Sequence, residues 1–238
     1  MIRRNPRLKA LGATMKIIRL KEVDSTNEYC KKLNADCIVI ADRQSGGKGT
    51  KGRSFESNSG GLYLSIVRRY DSFPAECAFE IMVDGCVAVC KTLEFFGIKP
   101  VIRWANDVLV DGRKICGTLI ENTLSNGHIT RSLVGCGINV NNELSADLRC
   151  IAVSMKEILG REIDKSHVER VFIENIQKHY SIADYKKYIN WFSKSVILKT
   201  ADGENVVTAV DVTDSGRLLV DWGGNMLEIS SAEVSLRL

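Results

Sequence analysis

Residues 41–55 read ADRQSGGKGTKGRSF and hold the densest run of residues that could handle an anion. Gly46, Gly47, Gly49 and Gly52 are interleaved with Lys48, Lys51 and Arg53, directly after the apolar run Cys37-Ile38-Val39-Ile40. Glycines at this density cannot form a helix interior, where each costs about 1 kcal/mol relative to alanine. They suit backbone that must approach a ligand closely or adopt positive φ. The cations point to an anionic ligand, held by side-chain charge and backbone N–H groups together. A solvated basic loop would have the same composition, so the stretch alone does not decide. The spacing does exclude the ordinary P-loop, G-x-x-x-x-G-K-[ST].

Three further stretches carry polar residues at fixed spacing. They are Asp24-Ser25-Thr26-Asn27, then Arg103-Trp-Ala-Asn-Asp-Val-Leu-Val110 running on to Arg113-Lys114-Ile-Cys-Gly117 and Glu121, and finally Gly135-Cys-Gly-Ile-Asn-Val-Asn141. In this order, with the glycine loop, they resemble the biotin–protein ligases. That family shows D-S-T-N, Q-x-x-G-R-G-R-x-G-R-x-W, K-W-P-N-D, G-x-K-x-x-G-x-L-x-E and G-x-G-I-N. The motifs span residues 16–142, and ordered motifs at compatible spacing are far more specific than any one alone.

The resemblance implies an ATP-dependent, AMP-forming ligase. Biotin and ATP, with Mg²⁺, would give biotinyl-adenylate and pyrophosphate, and the biotinyl group would pass to a lysine of a biotin carboxyl carrier protein or domain. Ser25, Thr26 and Gln44 would hydrogen-bond the ureido group with the backbone near Gly47, and Asn27 would join them or support the helix start. Lys48, Gly49 and Thr50 would line the carboxylate end. Lys114 would bridge carboxylate and α-phosphate, and Arg53 would pair with phosphate. Asn106 and Asn139 would contact adenine or ribose, Phe55 would stack on adenine, and Asp107 would face a metal or the acceptor lysine. No dedicated metal site is expected. As ordinary structure these residues would be an N-cap pair, a loop glutamine, turn asparagines and a solvated lysine beside a hairpin.

Charge development on phosphoryl oxygens calls for positioning and electrostatic stabilisation, and a mixed anhydride calls for exclusion of water. The chain departs from the family at three points. Lys48 stands for an arginine, which keeps charge without the bidentate fork. Thr50 stands for another, which implies easier release of the adenylate. Ala105 stands for the proline before Asn106.

The elements that must position these residues follow from periodicity and punctuation. Lys16–Val23 reads as a strand. Ser25 with Glu28 forms a capping-box signature for a helix to about Leu33. Strands follow at 37–41 and 61–67, then a helix over 74–96 ending at Gly97. Residues 101–104, 108–110 and 115–120 read as strands, with Asp111-Gly112 as a hairpin turn. A strand over 128–140 carries Gly135 and Gly137, where a ligand or another backbone could approach closely. Helices are predicted at 152–159 and 166–191. From Val196 the pattern changes to short strands at 196–199, 206–212, 218–222 and 226–229, with a boundary near 192–195.

The fold class expected is α+β: a mixed, mostly antiparallel sheet packed with helices, by resemblance class II synthetase-like, plus a C-terminal SH3-like β barrel. The expected division is an N-terminal arm over 1–15, a catalytic domain over 16–192 and the β domain over 193–238. The chain has 238 residues, 45% hydrophobic, and a net charge of +4. Arg3, Arg4, Arg7 and Lys9 supply all of that excess within the first 14 residues. The remaining chain is neutral, which argues against a nucleic-acid partner. So few residues precede Lys16 that a ligase without a DNA-binding unit is expected. No apolar run is long enough for a membrane span. The eight cysteines show no C-x-x-C pair, which suits buried thiols of a cytoplasmic protein. A monomer or homodimer is compatible with the sequence. Three rival readings remain: a lipoate or octanoate ligase, which would leave Ser25, Thr26 and Gln44 without purpose; a biotin sensor, which would not need Lys114 or Arg53; and a hydrolase, for which no histidine falls in the motifs.

Overall fold

The apolar runs at 37–41 and 61–67 become neighbouring central strands of a seven-stranded sheet in a computed structural model that describes residues 15–200, 203–231 and 235–237. Met15 aside, the expected N-terminal arm lies outside the described residues. The chain opens with β1 (Lys16–Val23), α1 (Thr26–Lys31), β2 (Cys37–Gln44) and β3 (Leu62–Pro74). The long helix α2 (Ala78–Phe95) follows, then β4 (Val101–Arg103), β5 (Asp107–Val110), β6 (Arg113–Ser125) and β7 (His128–Ile138). Strand order is β1-β2-β3-β7-β6-β5-β4. Only β1 and β2 pair in parallel, with α1 as their crossover; the other neighbours are antiparallel. The mixed, mostly antiparallel sheet of an α+β fold is thus present.

The central strands read as apolar throughout because both sheet faces are covered. Ile38, Ile40, Leu64 and Ile66 pack in the main core with α2 residues such as Cys86, Val89 and Leu93. On the opposite face Val39, Val67 and Leu133 form a smaller cluster with Cys30 of α1. Helix α2 begins later than its pattern predicts, since Pro74 ends β3 and a single 3-10 turn, Ala75–Cys77, intervenes. It ends at Gly97, whose φ of 80° is the left-handed stop that glycine accepts best. The hairpin between β5 and β6 has Asp111 and Gly112 both at positive φ, the geometry Asp-Gly favours.

Three short helices follow: α3 (Met155–Leu159), α4 (Lys165–Ile176) and α5 (Ile182–Lys186). The single helix expected over 166–191 is therefore two. Ser181 and Asp184 form a reciprocal capping box that starts α5 afresh. The second sheet contains β8 (Ser195–Thr200), β9 (Gly203–Val212), β10 (Leu218–Trp222), β11 (Asn225–Ile229) and β12 (Ser235–Arg237), in the antiparallel order β11-β10-β9-β8-β12. Strand β12 was not expected, being too short to show a period.

These outer elements clamp the turn before Asn106. Trp104 is buried and its Nε1 donates to Gly216 O at 3.0 Å, across to the second sheet. The Tyr185 hydroxyl on α5 donates to Ala105 O at 2.9 Å, and Trp191 Nε1 donates to Ile102 O at 2.7 Å. Three buried polar side chains thereby fix one short segment, each satisfied as burial requires.

One buried carboxylate ties α2 to the chain after α4. Asp84 accepts from Tyr180 N–H at 2.8 Å, lies 3.9 Å from Arg68 of β3, and pairs with His179 Nδ1 at 3.2 Å. The hydrogen bond to Asp84 raises His179 above its ordinary value of 6.5, against the opposing effect of burial. A raised histidine contributes stability that is complete below 6.5 and is lost as pH rises through its folded value. Unfolding free energy measured from pH 5.5 to 8.5 is expected to fall more steeply for the wild type than for His179→Gln. Parallel curves would contradict this.

Candidate active site

The N-terminus of α1 brings the D-S-T-N residues to the end of β2. Ser25 is the N-cap, and its Oγ accepts from Glu28 N–H at 3.5 Å. Only that half of the capping box forms, because the Glu28 carboxylate is engaged elsewhere. Thr26 N–H donates to Gln44 Oε1 at 2.8 Å, and Gln44 Nε2 donates to Ser57 Oγ at 2.8 Å. Ser65 of β3 lies 2.7 Å from Thr26 Oγ1 and 2.5 Å from Asn27 Oδ1. Asn27 Nδ2 reaches Glu121 of β6 at 2.9 Å. Ser25, Thr26, Asn27 and Ser65 are all buried, so this is a satisfied polar network rather than a solvated turn.

The glycine loop closes over that network. Phe55 N–H donates to Gly47 O at 2.8 Å and Gly49 N–H to Arg53 O at 2.7 Å, so the loop is a closed hairpin-like flap. Gly47 is buried, and a Cβ there would meet Ser57 Oγ at 2.5 Å. The turn Thr50–Gly52 needs positive φ at Lys51 (58°) and Gly52 (73°), which glycine supplies at the second position without strain. Lys48 Nζ binds Glu28 Oε1 at 2.6 Å, and Lys31 bridges Glu28 and Glu121 at 2.7 and 2.8 Å. Hydrogen bonds from Lys31 and then Lys48 hold the Glu28 carboxyl down to about 2.

At the other end stands the β5–β6 hairpin. Lys114 Nζ pairs with Asp107 Oδ1 at 2.6 Å, and Arg103 pairs with the other carboxylate oxygen at 2.6 Å. Burial alone would raise Asp107, but the charges of Lys114 and Arg103 outweigh it and hold the carboxyl below its ordinary value. Lys114 Nζ also sits 5.6 Å from the Phe55 ring centre. Asn106 Nδ2 donates to Thr118 O at 3.0 Å, which fixes its side chain against β6.

Between these ends lies a narrow, partly open cleft. Ser25, Thr26, Asn27 and Gln44 line one end, with Lys48, Gly49, Thr50 and Phe55 from the loop and Asn106 and Lys114 from the hairpin. Arg53 and Asp107 line an adjoining cavity that shares Thr50 and Asn106 with the first. Arg53 is turned onto Thr50, donating to its O at 3.3 Å and its Oγ1 at 3.2 Å. Asn139 lines neither cavity. It is buried, donating to Val153 O at 3.2 Å and accepting from Asn142 at 3.1 Å, so here it braces the loop after β7. The functional geometry also depends on Glu28, read from sequence only as half of a cap, on Arg103, which stands in a motif without an assigned role, and on Ser57 and Ser65, which motif reading did not single out. Of the last two, Ser65 left a signal, as one polar residue inside the apolar strand LYLSIV.

A family model described as the biotin/lipoate A/B protein ligase family matches residues 18–139, more than half of the chain. The chain belongs to that family. A second model, the biotin protein ligase C terminal domain, matches residues 194–237. The Bacillus subtilis bifunctional ligase/repressor BirA is 28% identical over 216 residues, covering 84% of this chain and 66% of its own length. The Mycobacterium tuberculosis biotin--[acetyl-CoA-carboxylase] ligase is 24% identical over 214 residues, 83% of this chain and 77% of that protein. The Aquifex aeolicus biotin protein ligase solved with biotin and ATP superposes with a TM-score of 0.77 at 28% identity, covering 94% of this chain and 99% of that one.

Glu28 tethers the flap through Lys48, and a partly exposed ion pair of this kind contributes at most about 1 kcal/mol. Glu28→Gln is therefore expected to raise tryptic cleavage after Lys48, Lys51 or Arg53 by roughly two- to fivefold. An unchanged cleavage rate would contradict the tether.

Proposed function

We propose that this family member is a biotin–protein ligase acting in two steps. The observation that carries the reading is the polarity of one cleft. A neutral hydroxyl and amide set, Ser25, Thr26 and Gln44, lines the cleft together with the cation Lys114 on the β5–β6 hairpin, and Lys48 of the flap lines it too. A carboxylic acid with a neutral, hydrogen-bonding head group fits that combination. Biotin, with its ureido head and valerate tail, is such an acid; lipoate has an apolar dithiolane in place of the head. The Aquifex relative's complex with biotin and ATP supports the same choice.

In the first step a biotin carboxylate oxygen attacks the ATP α-phosphorus, and pyrophosphate leaves. Lys114 Nζ would shift from Asp107 toward the developing negative charge on the α-phosphoryl oxygens, where a preorganised cation is worth most. Asp107, held ionised by Arg103, would keep Lys114 aimed meanwhile. Arg53 would turn from Thr50 to phosphate, Lys48 and Thr50 would close over the carboxylate end, and Phe55 and Asn106 would flank adenine. Among the described residues no group of three or more His, Cys, Asp or Glu could hold a metal. Mg²⁺ would arrive with the ATP phosphates, as part of the substrate. In the second step a lysine amine of a biotin carboxyl carrier domain attacks the acyl carbonyl, and AMP leaves. Water exclusion by the flap protects the mixed anhydride until then.

The proposed division of labour places this chemistry in residues 16–192, with residues 193–238 as a small β domain bracing it. No helix is long and apolar enough to cross a membrane, and the buried free thiols fit a cytoplasmic setting.

The test is ATP-dependent mass gain on a biotin carboxyl carrier domain, with lipoic acid in parallel. Biotin transfer is expected, and Lys114→Ala should lower it by about a hundredfold or more. In the same assay Thr50→Arg should slow escape of adenylate into solution. Saturable biotin binding without transfer would contradict the ligase reading, and transfer of lipoate would contradict the substrate.

A further inference from the structure

Ser25, Thr26 and Asn27 stand at the start of one short helix, and a side chain far from the cleft holds that helix at its other end. Helix α1 has six residues, too few for a helix to persist by itself. Cys30 is its one fully buried apolar residue. Ser25 caps the helix, and Thr26 and Asn27 begin its first turn, so any tilt of α1 moves all three together.

The far end of α1 meets Arg131 of β7. A helix leaves its last carbonyls without partners inside the helix, and a basic side chain can supply them. Arg131 Nη2 donates to Cys30 O and, at 2.9 Å, to Leu33 O, and Nη1 donates to Lys31 O at 3.5 Å. One guanidinium thus spans the whole C-terminal turn. Arg69, opposite Arg131 on β3, is met instead by the Asp36 carboxylate at 3.2 Å.

Strand β7 holds both ends of α1. Gly135, four residues after Arg131 and on the same face, leaves the space that Asn27 occupies, since a Cβ there would stand 2.5 Å from Asn27 Oδ1. Leu133, between the two, shares a small apolar cluster with Cys30. Four residues of strand span about 13 Å, and six residues of helix span about 9 Å. Clamp and space are therefore matched to the two ends of a helix lying antiparallel along β7.

We infer that Arg131 is a positioning residue for the acid substrate: it locks the end of α1 to β7, and so holds Ser25 and Thr26 where the head group must meet them. Arg131 lines neither cavity and acts through α1. Lys114 is fixed separately, by the β5–β6 hairpin and by Asp107, which Arg103 shares. Loss of the clamp should therefore weaken binding of the acid and spare that of ATP. This inference rests on the biotin reading above and adds a residue that lies outside every motif of the site.

The test compares the dissociation constant for biotin with the KM for ATP at saturating biotin, in wild type and in Arg131→Met, which keeps bulk and removes the donors. Biotin binding is expected to weaken about tenfold while the KM for ATP stays within about twofold. Arg131→Lys keeps the charge with fewer reachable carbonyls and should fall between, about threefold weaker for biotin. That variant keeps the test decisive if Arg131→Met does not fold. Hydrogen exchange without ligand reads the clamp itself: the Lys32 and Leu33 amides, which close α1, should exchange faster in either variant. A folded variant with wild-type exchange at these amides, or with wild-type affinity for biotin, would overturn the inference. So would equal losses for biotin and ATP, as a merely structural residue would give. Wild type that binds no biotin would instead overturn the biotin reading, and this inference with it.

Discussion

The site depends first on space above two neighbouring strands. Gly117 of β6 and Gly135 and Gly137 of β7 lie on one face of the sheet, with Gly117 directly opposite Gly137 and Leu119 opposite Gly135. A Cβ on Gly135 would stand 2.5 Å from Asn27 Oδ1, on Gly137 2.6 Å from the Phe55 ring, and on Gly117 2.9 Å from Lys114 Nζ. None of the three has a positive φ. Their requirement is therefore steric rather than conformational: each absent methyl group is room for one site side chain. A strand normally fills its covered face with branched residues, and here it gives up that packing to seat Asn27, Lys114 and Phe55.

What the sheet makes room for is then held by charge and hydrogen bonds rather than by apolar contact. Each cation facing the cleft has a carboxylate partner: Lys48 has Glu28, and Lys114 has Asp107. The two pairs are not equivalent. Asp107 is mostly covered and shared with Arg103, so Lys114 can leave it for a phosphoryl oxygen without stranding an unpaired carboxylate. Glu28 is nearer solvent and shared with Lys31, so Lys48 can leave at little cost. Both cations can thus be exchanged onto an incoming anion, while Ser25, Thr26 and Gln44 stay fixed by their hydrogen bonds.

Sequence reading located most of this because the chemistry resides in short, contiguous motifs. Asp-Gly at 111–112, the Ser25 cap and the change of period at Val196 each left a local mark. The misses were non-local. Helix 166–191 was read through the break at Ser181 because apolar spacing continues past it, and only the capping box shows the restart. The bracing contacts of Asn139 were not foreseen, since its partners, Val153 and Asn142, lie on a loop whose path no spacing reveals. Glu28 was read as half of a cap, whereas its carboxylate is taken by Lys48, twenty residues on. Ser65 and Gly135 gain meaning only through strand register, which places them side by side beneath Asn27. The approach expected at Gly135 and Gly137 came from side chains of the protein itself, Asn27 and Phe55.

The account stands or falls on whether one cleft holds the neutral head of an acid and activates its carboxylate. Exchange of labelled pyrophosphate into ATP, measured without any carrier protein, isolates that step. Exchange that requires biotin and is not supported by lipoate is the result expected. Exchange supported equally by lipoate, or none at saturating biotin, would contradict the assignment of the two ends of the cleft.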